Sequence, residues 1–546
     1  MIKSIIIHNF KCFKGSMSIE FKSGLNILVG NNETGKSTVL EAIHLALSGT
    51  FKGKFIQGNL TQYLFNNEVV NEYLESVKLG NPIEPPYILI ELYLDNTYPE
   101  LEGDRFTDTE VTGRVFGVAL KIAFDEKYNE EYYDLIKSCE LSSLPIEYYD
   151  IEWYSFARKA LTTRSIPLKS TLIDVGFSKF QNGSDVYISR IIQNVLDSND
   201  KTKVTQAFRK VKELFIKDSS ISEINKKLTG ISVLSKKQIE LNVDLSSKST
   251  WEGSLITQLD NIPFDFIGKG EQAIIKTELA LSNKKAESSS VILMEEPESH
   301  ISHSRLNQLI NSIKENYGNK QIILSTHSSF VANKLGLNNL ILLNKDKTFK
   351  FSSLNSMDFF EKISGYDTLR LILCNKAVLV EGDSDELIVQ RAYMDMNNGH
   401  LPIEDGVEII SVGTSFLRFL DIADNLKIDV KVLTDNDGDI DALKLKYKDY
   451  LDNNKKDNIE ICYEDKVFDG ELVIGIKGNP FNYNTLEPSL FRSNNLDLLN
   501  KVLETKYINE DDLHKYMNAN KTECALKIFS SNIKITYPEY ILRAIK

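Results

Sequence analysis

The sequence is poor in cysteine, and its five cysteines stand far apart: Cys12, Cys139, Cys374, Cys462 and Cys524. Their number is odd and they form no CxxC pair, so the pattern indicates neither a disulfide framework nor a zinc ribbon. No apolar run approaches the roughly 18 residues of a membrane span. The chain begins with a strand-like alternation and not with a cleavable signal. We therefore expect a reduced, cytoplasmic protein that does not enter the membrane.

The chain also lacks an excess of positive charge. It has 64 Lys and Arg against 77 Asp and Glu, a formal net charge of −13 over 546 residues. Contacts with nucleic-acid phosphates need Lys and Arg, so any such surface would be a local basic patch. A hydrophobic content of 42% with 26% charged residues is typical of globular proteins. At roughly 150 residues per domain, the length predicts three or four units.

What the sequence does contain is a complete GxxxxGK[ST] phosphate-binding loop. It follows the apolar strand 25–29 and leads into a helix from Lys36 with apolar residues at helical spacing. Backbone N–H groups and the helix N-terminus would bind the phosphates, Lys36 the β- and γ-phosphates, and the Ser37 hydroxyl Mg²⁺. The candidate ATP-binding residues of the loop are Gly30, Asn31, Asn32, Glu33, Thr34, Gly35, Lys36, Ser37 and Thr38.

Two further strand ends belong to the same chemistry. The apolar strand 290–294 ends in Glu295 and Glu296, and the strand 321–325 is followed by Thr326 and His327. Glu295 would support Mg²⁺ through water, and Glu296 would polarise the attacking water. His327 would lie near the γ-phosphate. The alternative for the acidic residues is a solvated turn at the end of a strand.

Acidic residues also follow two strands near the C-terminus. Glu381 and Asp385 come after the strand 377–380, and Asp435 and Asp437 after the strand 430–434. Parallel strands end at one edge of a sheet, so these carboxylates would face one cavity. Oxygen ligands suit Mg²⁺, with Mn²⁺ as the alternative. The competing interpretation is a set of acidic loop ends on an α/β domain.

The pattern along the chain predicts two domains. Strand-like runs occupy 80–175, a charged helical segment follows at 185–250, and alternating strands and helices restart after about 355. We place the boundary between 350 and 375, which gives domains 1–365 and 366–546. The fold class is α/β in both domains.

The order of the N-terminal motifs resembles the ABC-type ATPase heads of the RecF/SMC group. The resemblance implies a signature motif before the acidic strand, for which Gly268 and Gly270 are the candidates although the segment departs from LSGGQ. In that group the signature of one subunit completes the ATP site of another, which implies a homodimer or a higher oligomer. The helical segment 185–250 is a candidate dimerisation element. Gln57 and Gln62 are both candidates for the glutamine loop, and 299–305 occupies the D-loop position.

The C-terminal part resembles a Toprim domain with a parallel sheet, and the whole chain resembles the OLD (overcoming lysogenisation defect) family of nucleases. Thr485-Leu486-Glu487, after a strand-like stretch, and the late Lys521 add to this resemblance. It implies that Glu381, Asp385, Asp435, Asp437 and Glu487 bind metal and that Lys521 stabilises charge in the transition state. The alternative for Lys521 is an isolated surface lysine. Gly413 matches the glycine turn of the family only in part.

The resemblance implies an ATP-regulated, divalent-metal-dependent DNA endonuclease in bacterial antiphage defence or genome maintenance. It also implies DNA as substrate and, in some members, a neighbouring-gene partner, either a helicase or a retron reverse transcriptase with its RNA. A primase is disfavoured because a zinc ribbon is absent, and a topoisomerase because the C-terminal domain leaves little room for a DNA-gate domain. The remaining alternative is an ATPase clamp that binds DNA or a partner without cleaving it.

Overall fold

The structure is a computed structural model, and its chain forms two compact units. The first comprises 1–328 and 339–348, and the second comprises 329–338 and 349–546. The residues that it describes are 1–107, 113–137, 141–174, 180–181, 184–185, 196–228, 241–243, 251, 258–281, 290–299, 301–302, 304–306, 308–309, 311, 315, 320–328, 337–344, 347–350, 365–474 and 478–546. The domain ranges 1–365 and 366–546 stay predictions, since 351–364 lie outside the described residues.

An antiparallel sheet forms one layer of the first unit. Its first strand alternates between two faces, with Ile5 and Ile7 on the buried one, whereas the strand Ile88–Leu94 is buried throughout. The strand-like character predicted for 80–175 is confirmed in the described part of that range by the strands Ile88–Leu94, Val115–Phe124 and Tyr149–Ser155. In sheet order the strands are Ala160–Leu161, Tyr149–Ser155, Val115–Phe124, Ile88–Leu94, Ile2–His8 and Ser16–Glu20, with Glu102–Gly103 pairing beside Val115–Phe124.

The second layer is a mainly parallel sheet that carries the phosphate loop. Its order is Ser170–Asp174, Val291–Glu295, Gln321–Ser325, Leu25–Val29, Leu340–Asn344 and Lys347–Lys350. The first five strands are parallel to their neighbours. The strands predicted at the phosphate loop, the acidic strand and the histidine strand are confirmed. Because all three are parallel, their carboxyl ends lie at the same edge of the sheet.

The helix Lys36–Ser48 contacts strands of both sheets. Leu40, Ile43 and Leu47 of this helix are buried in a core cluster that also contains residues of both layers. Their spacing of three and four residues places them on one face of the helix. The phosphate loop is therefore fixed at its C-terminal side by a fully packed helix.

Gln321 joins the two sheets at the edge opposite to the phosphate loop. Its Oε1 accepts the Ile2 N–H at 2.8 Å, and its Nε2 donates to the carbonyls of Ile2 at 2.7 Å and Lys22 at 2.8 Å. The side chain is fully buried, so these bonds are shielded from water. The strand that ends at Ser325 is thus tied at its beginning to the first strand of the other sheet.

The remaining described helices of the first unit are Asn67–Lys78, Asn129–Lys137, Ser198–Ile216, Ser219–Leu228 and Lys269–Leu281. Two of them confirm the helical character predicted for 185–250. Asp197 caps the first by accepting the Asp200 N–H at 2.8 Å. The rest of the predicted insertion, at 186–195, 229–240 and 244–250, lies outside the described residues.

The second unit contains a four-stranded parallel sheet, which confirms the predicted sheet type. Its order is Val407–Ser411, Lys376–Val380, Asp429–Leu433 and Ile459–Cys462. The two central strands are those that lead into Glu381 and Asp435. The described helices of this unit are Gly365–Leu373, Asp383–Met396, Phe416–Leu426, Ile440–Lys446, Leu486–Ser493, Leu496–Leu503, Glu510–Ala519, Lys521–Ser530 and Glu539–Ile545.

Among the helices that the structure describes, none is long and apolar enough to cross a membrane.

Candidate nucleotide and metal sites

The phosphate loop has the backbone conformation that its two glycines permit. Gly35 caps the following helix with φ of 94°, in the left-handed region. A Cβ at this position would overlap the Phe13 ring. A Cβ at Gly30 would lie 2.5 Å from the Leu343 carbonyl oxygen. Both positions therefore need glycine on steric as well as conformational grounds.

Lys36 is buried within its own loop. Its Nζ donates to the carbonyl oxygens of Gly30 and Asn31, both at 2.8 Å. Burial lowers the pKa of this ammonium to about 8, although the negative charges of Glu296 and Glu298 act in the opposite direction. A desolvated lysine with donors directed at the loop interior is suited to bind an anion.

A cavity of about 620 Å³ lies over the loop. It brings together seven of the predicted loop residues and the predicted histidine. The residues that line it are Cys12, Phe13, Lys14, Asn32, Glu33, Thr34, Gly35, Lys36, Ser37, Thr38, Glu68 and His327. Gly30 and Asn31 are not among these lining residues, but their carbonyl oxygens accept hydrogen bonds from Lys36, which is. The cavity is large enough for a ligand of nucleotide size.

Glu296 and His327 are in direct contact. The His327 Nε2 lies 3.1 Å from Glu296 Oε1. Glu296 has φ of 41°, so the chain turns sharply where the acidic strand ends. Burial lowers the pKa of His327 and the Lys36 charge lowers it further, while the charges of Glu296 and Glu298 raise it. The predicted catalytic pair thus forms within the electrostatic range of the phosphate-loop lysine.

Glu295 ends its strand and pairs in register with Ser325 of the histidine strand. Glu298 lies in the turn after the acidic strand, and the sequence predicts no role for it. Its Oε1 accepts hydrogen bonds from the Thr326 hydroxyl at 2.5 Å and from the His327 N–H at 3.1 Å. Sequence patterns do not show which strand a carboxylate reaches, and the only signal was its place in the acidic turn.

The predicted signature segment opens a helix, as expected, because the helix Lys269–Leu281 starts between its two glycines. Gly268 is exposed, and a Cβ there would meet open space. Gln272 is buried and donates to the carbonyls of Phe264 at 2.9 Å and Ile267 at 2.8 Å. These residues are absent from the lining of the phosphate-loop cavity. The role of Gly268 and Gly270 stays a prediction.

The two glutamine-loop candidates differ in their contacts. Gln62 accepts the Leu144 N–H at 2.9 Å through Oε1, so its side chain holds a neighbouring loop. Gln57 is exposed in the short turn Ile56–Gly58. Of the D-loop positions, Arg305 lies 3.8 Å from the Glu271 carboxylate, whereas 300 and 303 lie outside the described residues. The two candidates therefore differ in that the side chain of Gln62, and not that of Gln57, binds Leu144.

In the second unit, Glu381 and Asp385 lie where the strand Lys376–Val380 passes into a helix. The Asp385 Oδ2 accepts the Gly382 N–H at 3.0 Å. Burial raises the pKa of Asp385 to about 6, and the negative charges of Glu487 and Glu381 add to this effect. The Gly382 hydrogen bond and the Lys521 charge act in the opposite direction. The Lys521 charge and the Gly382 hydrogen bond are therefore too weak to offset burial and the neighbouring negative charges at Asp385.

Asp435 lies in the same electrostatic environment. Its Oδ2 accepts the Leu486 N–H at 3.2 Å, at the start of the helix Leu486–Ser493. Burial, together with the charges of Asp385 and three further carboxylates, raises the pKa of Asp435 well above its usual value. Asp437 accepts a hydrogen bond from the Asn482 amide at 3.0 Å. The predicted acidic residues therefore lie close enough to Asp435 for their charges to raise its pKa.

Glu487 and Lys521 complete this group. The Lys521 Nζ lies 3.2 Å from Glu487 Oε2. As expected, Glu487 follows a strand, the short Asn479–Pro480, and it lies in the first turn of the helix that begins at Leu486. Between the two elements, Asn484 accepts the Phe468 N–H through Oδ1 and donates to the Phe468 carbonyl through Nδ2. The carboxylate thus enters the group from a helix N-terminus.

Asn436, between the two predicted aspartates, was not predicted to have a role of its own. Its Nδ2 donates to the carbonyls of Glu464 at 2.7 Å and Lys466 at 3.0 Å, and its Oδ1 accepts the Gly438 N–H at 3.0 Å. The residue is buried. It therefore ties the acidic loop to the segment that follows the neighbouring strand.

The acidic residues fit a divalent cation in their chemistry. They supply the carboxylate oxygens that Mg²⁺ and Mn²⁺ prefer. A bound cation would offset the burial and the mutual repulsion that raise the pKa of Asp385 and of Asp435. In the arrangement found here, no group of three or more His, Cys, Asp or Glu side chains within the described ranges is set up to hold a metal ion.

The chain matches two family models. The AAA ATPase domain family matches residues 1–332, and the Toprim domain of overcoming lysogenization defect protein-like proteins matches residues 372–437. The first match covers more than half of the chain and contains every predicted nucleotide-site residue. The second contains Glu381, Asp385, Asp435 and Asp437.

Two curated relatives match short parts of the chain. A DNA double-strand break repair Rad50 ATPase of Methanopyrus kandleri is 53% identical over 47 residues, 9% of this chain and 5% of the relative. A structural maintenance of chromosomes protein 3 homolog of Plasmodium falciparum is 26% identical over 142 residues, 26% of this chain and 10% of the relative. The matches thus span a tenth or less of these relatives.

The chain is also similar to solved SMC head domains. An SMC head bound to the C-terminal winged-helix domain of ScpA aligns with 64% of this chain and 98% of its own, with 15% identity and a TM-score of 0.35. The SMC head domain from Thermotoga maritima aligns with 64% of this chain and 98% of its own, with 14% identity and a TM-score of 0.29. With its ATPase domain at 1–332 and its Toprim match at 372–437, the chain belongs to the AAA ATPase domain family and has the ATPase–Toprim architecture of the overcoming lysogenisation defect family.

Proposed function

We propose that the chain is an ATP-regulated, divalent-metal-dependent DNA endonuclease. One observation carries this proposal: five acidic residues and a lysine from separate segments of the second unit act on one another electrostatically. The pKa of the partly buried Asp435 is raised by burial and by the charges of Asp385, Glu487, Asp437 and Glu381. Lys521 adds the one cation of the group, 3.2 Å from Glu487. Carboxylates that interact so strongly with one another destabilise the fold unless a cation or a reaction uses them.

The residues have separate proposed roles. Glu381, Asp385, Asp435, Asp437 and Glu487 would hold Mg²⁺, with Mn²⁺ as the alternative. A bound divalent cation supplies Lewis-acid stabilisation of the phosphodiester and lowers the pKa of water. Lys521 would stabilise negative charge that develops on the phosphate oxygens. The Leu486 N–H and the Asn482 amide would keep Asp435 and Asp437 in place.

In the first unit we propose that ATP binds at the phosphate loop. Its backbone N–H groups and Lys36 would bind the phosphates, and Ser37 the accompanying Mg²⁺, which Glu295 would support through water. Glu296 would orient the attacking water, and His327 would contact the γ-phosphate. Gly268 and Gly270 of a second copy would complete the site, so the active form would be a dimer or a higher oligomer. Antiphage defence, and a helicase or retron reverse transcriptase with its RNA as partner, belong to the same proposal.

The test is cleavage of supercoiled plasmid with Mg²⁺ or Mn²⁺, with Asp435→Asn as the test variant. The matched control is Asp457→Asn, an exposed aspartate that precedes the strand Ile459–Cys462, at the opposite edge of the same sheet. We expect nicking or linearisation by the wild type and the control and its loss in Asp435→Asn. Equal cleavage by all three would exclude the acidic group as the nuclease centre.

A second candidate function is an ATPase clamp that binds DNA or a partner without cutting it. It is favoured by one observation, the lack of three side chains arranged to hold a metal within the described residues. Wild-type protein that binds DNA in an ATP-dependent manner, but cleaves it with neither metal, would support the clamp.

A further inference from the structure

Glu298 accepts hydrogen bonds from two consecutive residues, Thr326 and His327. Its Oε1 accepts the Thr326 hydroxyl at 2.5 Å and the His327 N–H at 3.1 Å. The Thr326 hydroxyl in turn accepts the Ser328 N–H at 2.9 Å. One carboxylate oxygen thus fixes the segment that carries the histidine. Hydrogen bonds to an ionised acceptor are stronger than those between neutral groups.

The side chain of His327 is held from the same acidic turn. Glu296, two residues before Glu298, contacts the His327 Nε2 at 3.1 Å. The turn itself is closed by Ser299, which donates its N–H to the Glu296 carbonyl at 2.9 Å and its hydroxyl to Glu296 Oε2 at 3.2 Å. Glu298 therefore positions the backbone of His327 while Glu296 positions its ring.

Burial affects both oxygens of the Glu298 carboxylate, the one that binds Thr326 and the one that has no partner. Thr326 is only 1% exposed, so water does not compete for its hydroxyl. The other carboxylate oxygen, Oε2, is buried and has no hydrogen-bond partner among the described residues. A buried oxygen without a partner costs free energy, so its retention calls for an explanation beyond packing.

We propose that Glu298 is a positioning residue for ATP hydrolysis, which keeps His327 beside Glu296 at the phosphate-loop cavity by binding Thr326 and the His327 N–H. The inference rests on the ATPase function proposed above. Glu298 does not line the phosphate-loop cavity, so its effect on hydrolysis would pass through His327. It is one of the three glutamates of the acidic segment and the one to which no chemistry was assigned.

The experiment compares Glu298→Ala with Glu298→Gln in the full-length protein. The glutamine keeps a carbonyl oxygen that can accept both hydrogen bonds, whereas alanine removes the acceptor. We expect kcat for ATP hydrolysis to fall roughly 10- to 100-fold in Glu298→Ala, with KM for ATP changed by less than about threefold, and Glu298→Gln to keep most of the activity. Glu75→Ala, an exposed glutamate on the helix Asn67–Lys78, is the matched control. Equal losses in the alanine and glutamine variants would overturn positioning by hydrogen bonding.

A second readout does not depend on hydrolysis. With ¹³Cε1-labelled histidine, the His327 resonance is assigned by its loss in His327→Gln. We expect Glu298→Ala to shift this resonance and leave those of the distant His8, His44, His400 and His514 unchanged. If the wild type hydrolysed no ATP but the shift occurred, the ATPase proposal would fail while the Glu298–His327 contact would stand. An unshifted resonance together with unchanged kcat would overturn the inference.

Discussion

The Lys521 ammonium and the Glu487 carboxylate form an ion pair with a separation of 3.2 Å. The two residues start different helices of the second unit, and Glu487 is only 5% exposed. Burial alone would lower the pKa of Lys521, but the charges of Glu487, Asp435 and Asp385 raise it above its usual value. Lys521 is therefore not an isolated surface lysine, and it stays protonated at neutral pH.

Removal of this ammonium should affect cleavage far more than folding. We expect Lys521→Met to lower plasmid cleavage about 100-fold, the magnitude found when a donor to a developing oxyanion is lost. The measurement is the initial rate of cleavage, with the thermal midpoint as a folding check. Lys515→Met is the control, since Lys515 is half exposed and forms only a surface pair with Asp512 at 3.7 Å. Similar cleavage rates for Lys521→Met and Lys515→Met would show that Lys521 takes no part in cleavage.

The acidic group predicts an unusual dependence of stability on pH. The pKa of Asp385 is raised to about 6 by burial and by the charges of Glu487 and Glu381, against an opposing effect of Lys521. In the unfolded chain the value is about 3.9. Between about pH 6 and pH 4 the folded protein therefore binds a proton that the unfolded chain has released. The contribution of Asp385 to stability rises as the pH falls through this window.

We accordingly expect the thermal midpoint of protein in EDTA to increase relative to Asp385→Asn as the pH is lowered from 7.5 to 5. Mg²⁺ at pH 7.5 should raise the midpoint of the wild type more than that of Asp385→Asn. Differential scanning calorimetry measures both effects. A difference between the two proteins that stayed constant from pH 5 to 7.5 would contradict the assigned pKa.

Cys12 offers a direct probe of nucleotide binding. It is exposed, it lines the phosphate-loop cavity, and its Sγ lies 3.4 Å from the Thr38 hydroxyl. We expect ATP with Mg²⁺ at about 100 times its Kd to slow alkylation of Cys12 roughly 100-fold. Mass spectrometry of the Cys12 peptide measures the rate. The protection should be absent in Lys36→Ala, and alkylation of that variant at the wild-type unprotected rate is the control.

Lys36→Ala should separate the two units in function. The Lys36 ammonium is held by the carbonyls of Gly30 and Asn31, so its loss removes a cation from the cavity but leaves the second unit untouched. We expect ATP hydrolysis to fall below detection and the stabilisation of the protein by Mg²⁺ at the acidic group to persist. Lys54→Ala, at an exposed position, serves for comparison. Loss of the Mg²⁺ effect in Lys36→Ala would refute separable sites.

The elements that carry the candidate sites could be predicted because their signals are local. The strand before Gly30, the helix from Lys36 and the strand 321–325 follow from apolar periodicity and glycine placement. Parallel pairing then places Glu295 and Ser325 at one sheet edge. Glu381 and Asp435 could be grouped for the same reason, since each follows a central strand of one parallel sheet.

Contacts between distant segments were not accessible in this way. The bonds of Glu298 to Thr326, and of Asn436 to the carbonyls of Glu464 and Lys466, depend on loop conformations that periodicity does not define. The helix that carries Glu487 was not predicted because Leu486–Ser493 is short and offers few turns in which a helical period could be recognised. Side-chain hydrogen bonds across loops are set by tertiary packing, and one sequence contains no separate signal for them.

The strand Gln321–Ser325 is hydrogen bonded to another layer at its start and leads to the candidate catalytic residue His327 at its end. Gln321 binds the backbone of Ile2 and Lys22 in the antiparallel layer, and four residues later the chain reaches Ser325 and then His327. Because one five-residue strand joins these contacts to the histidine, we expect a displacement of the first antiparallel strand to change the position of His327 as well.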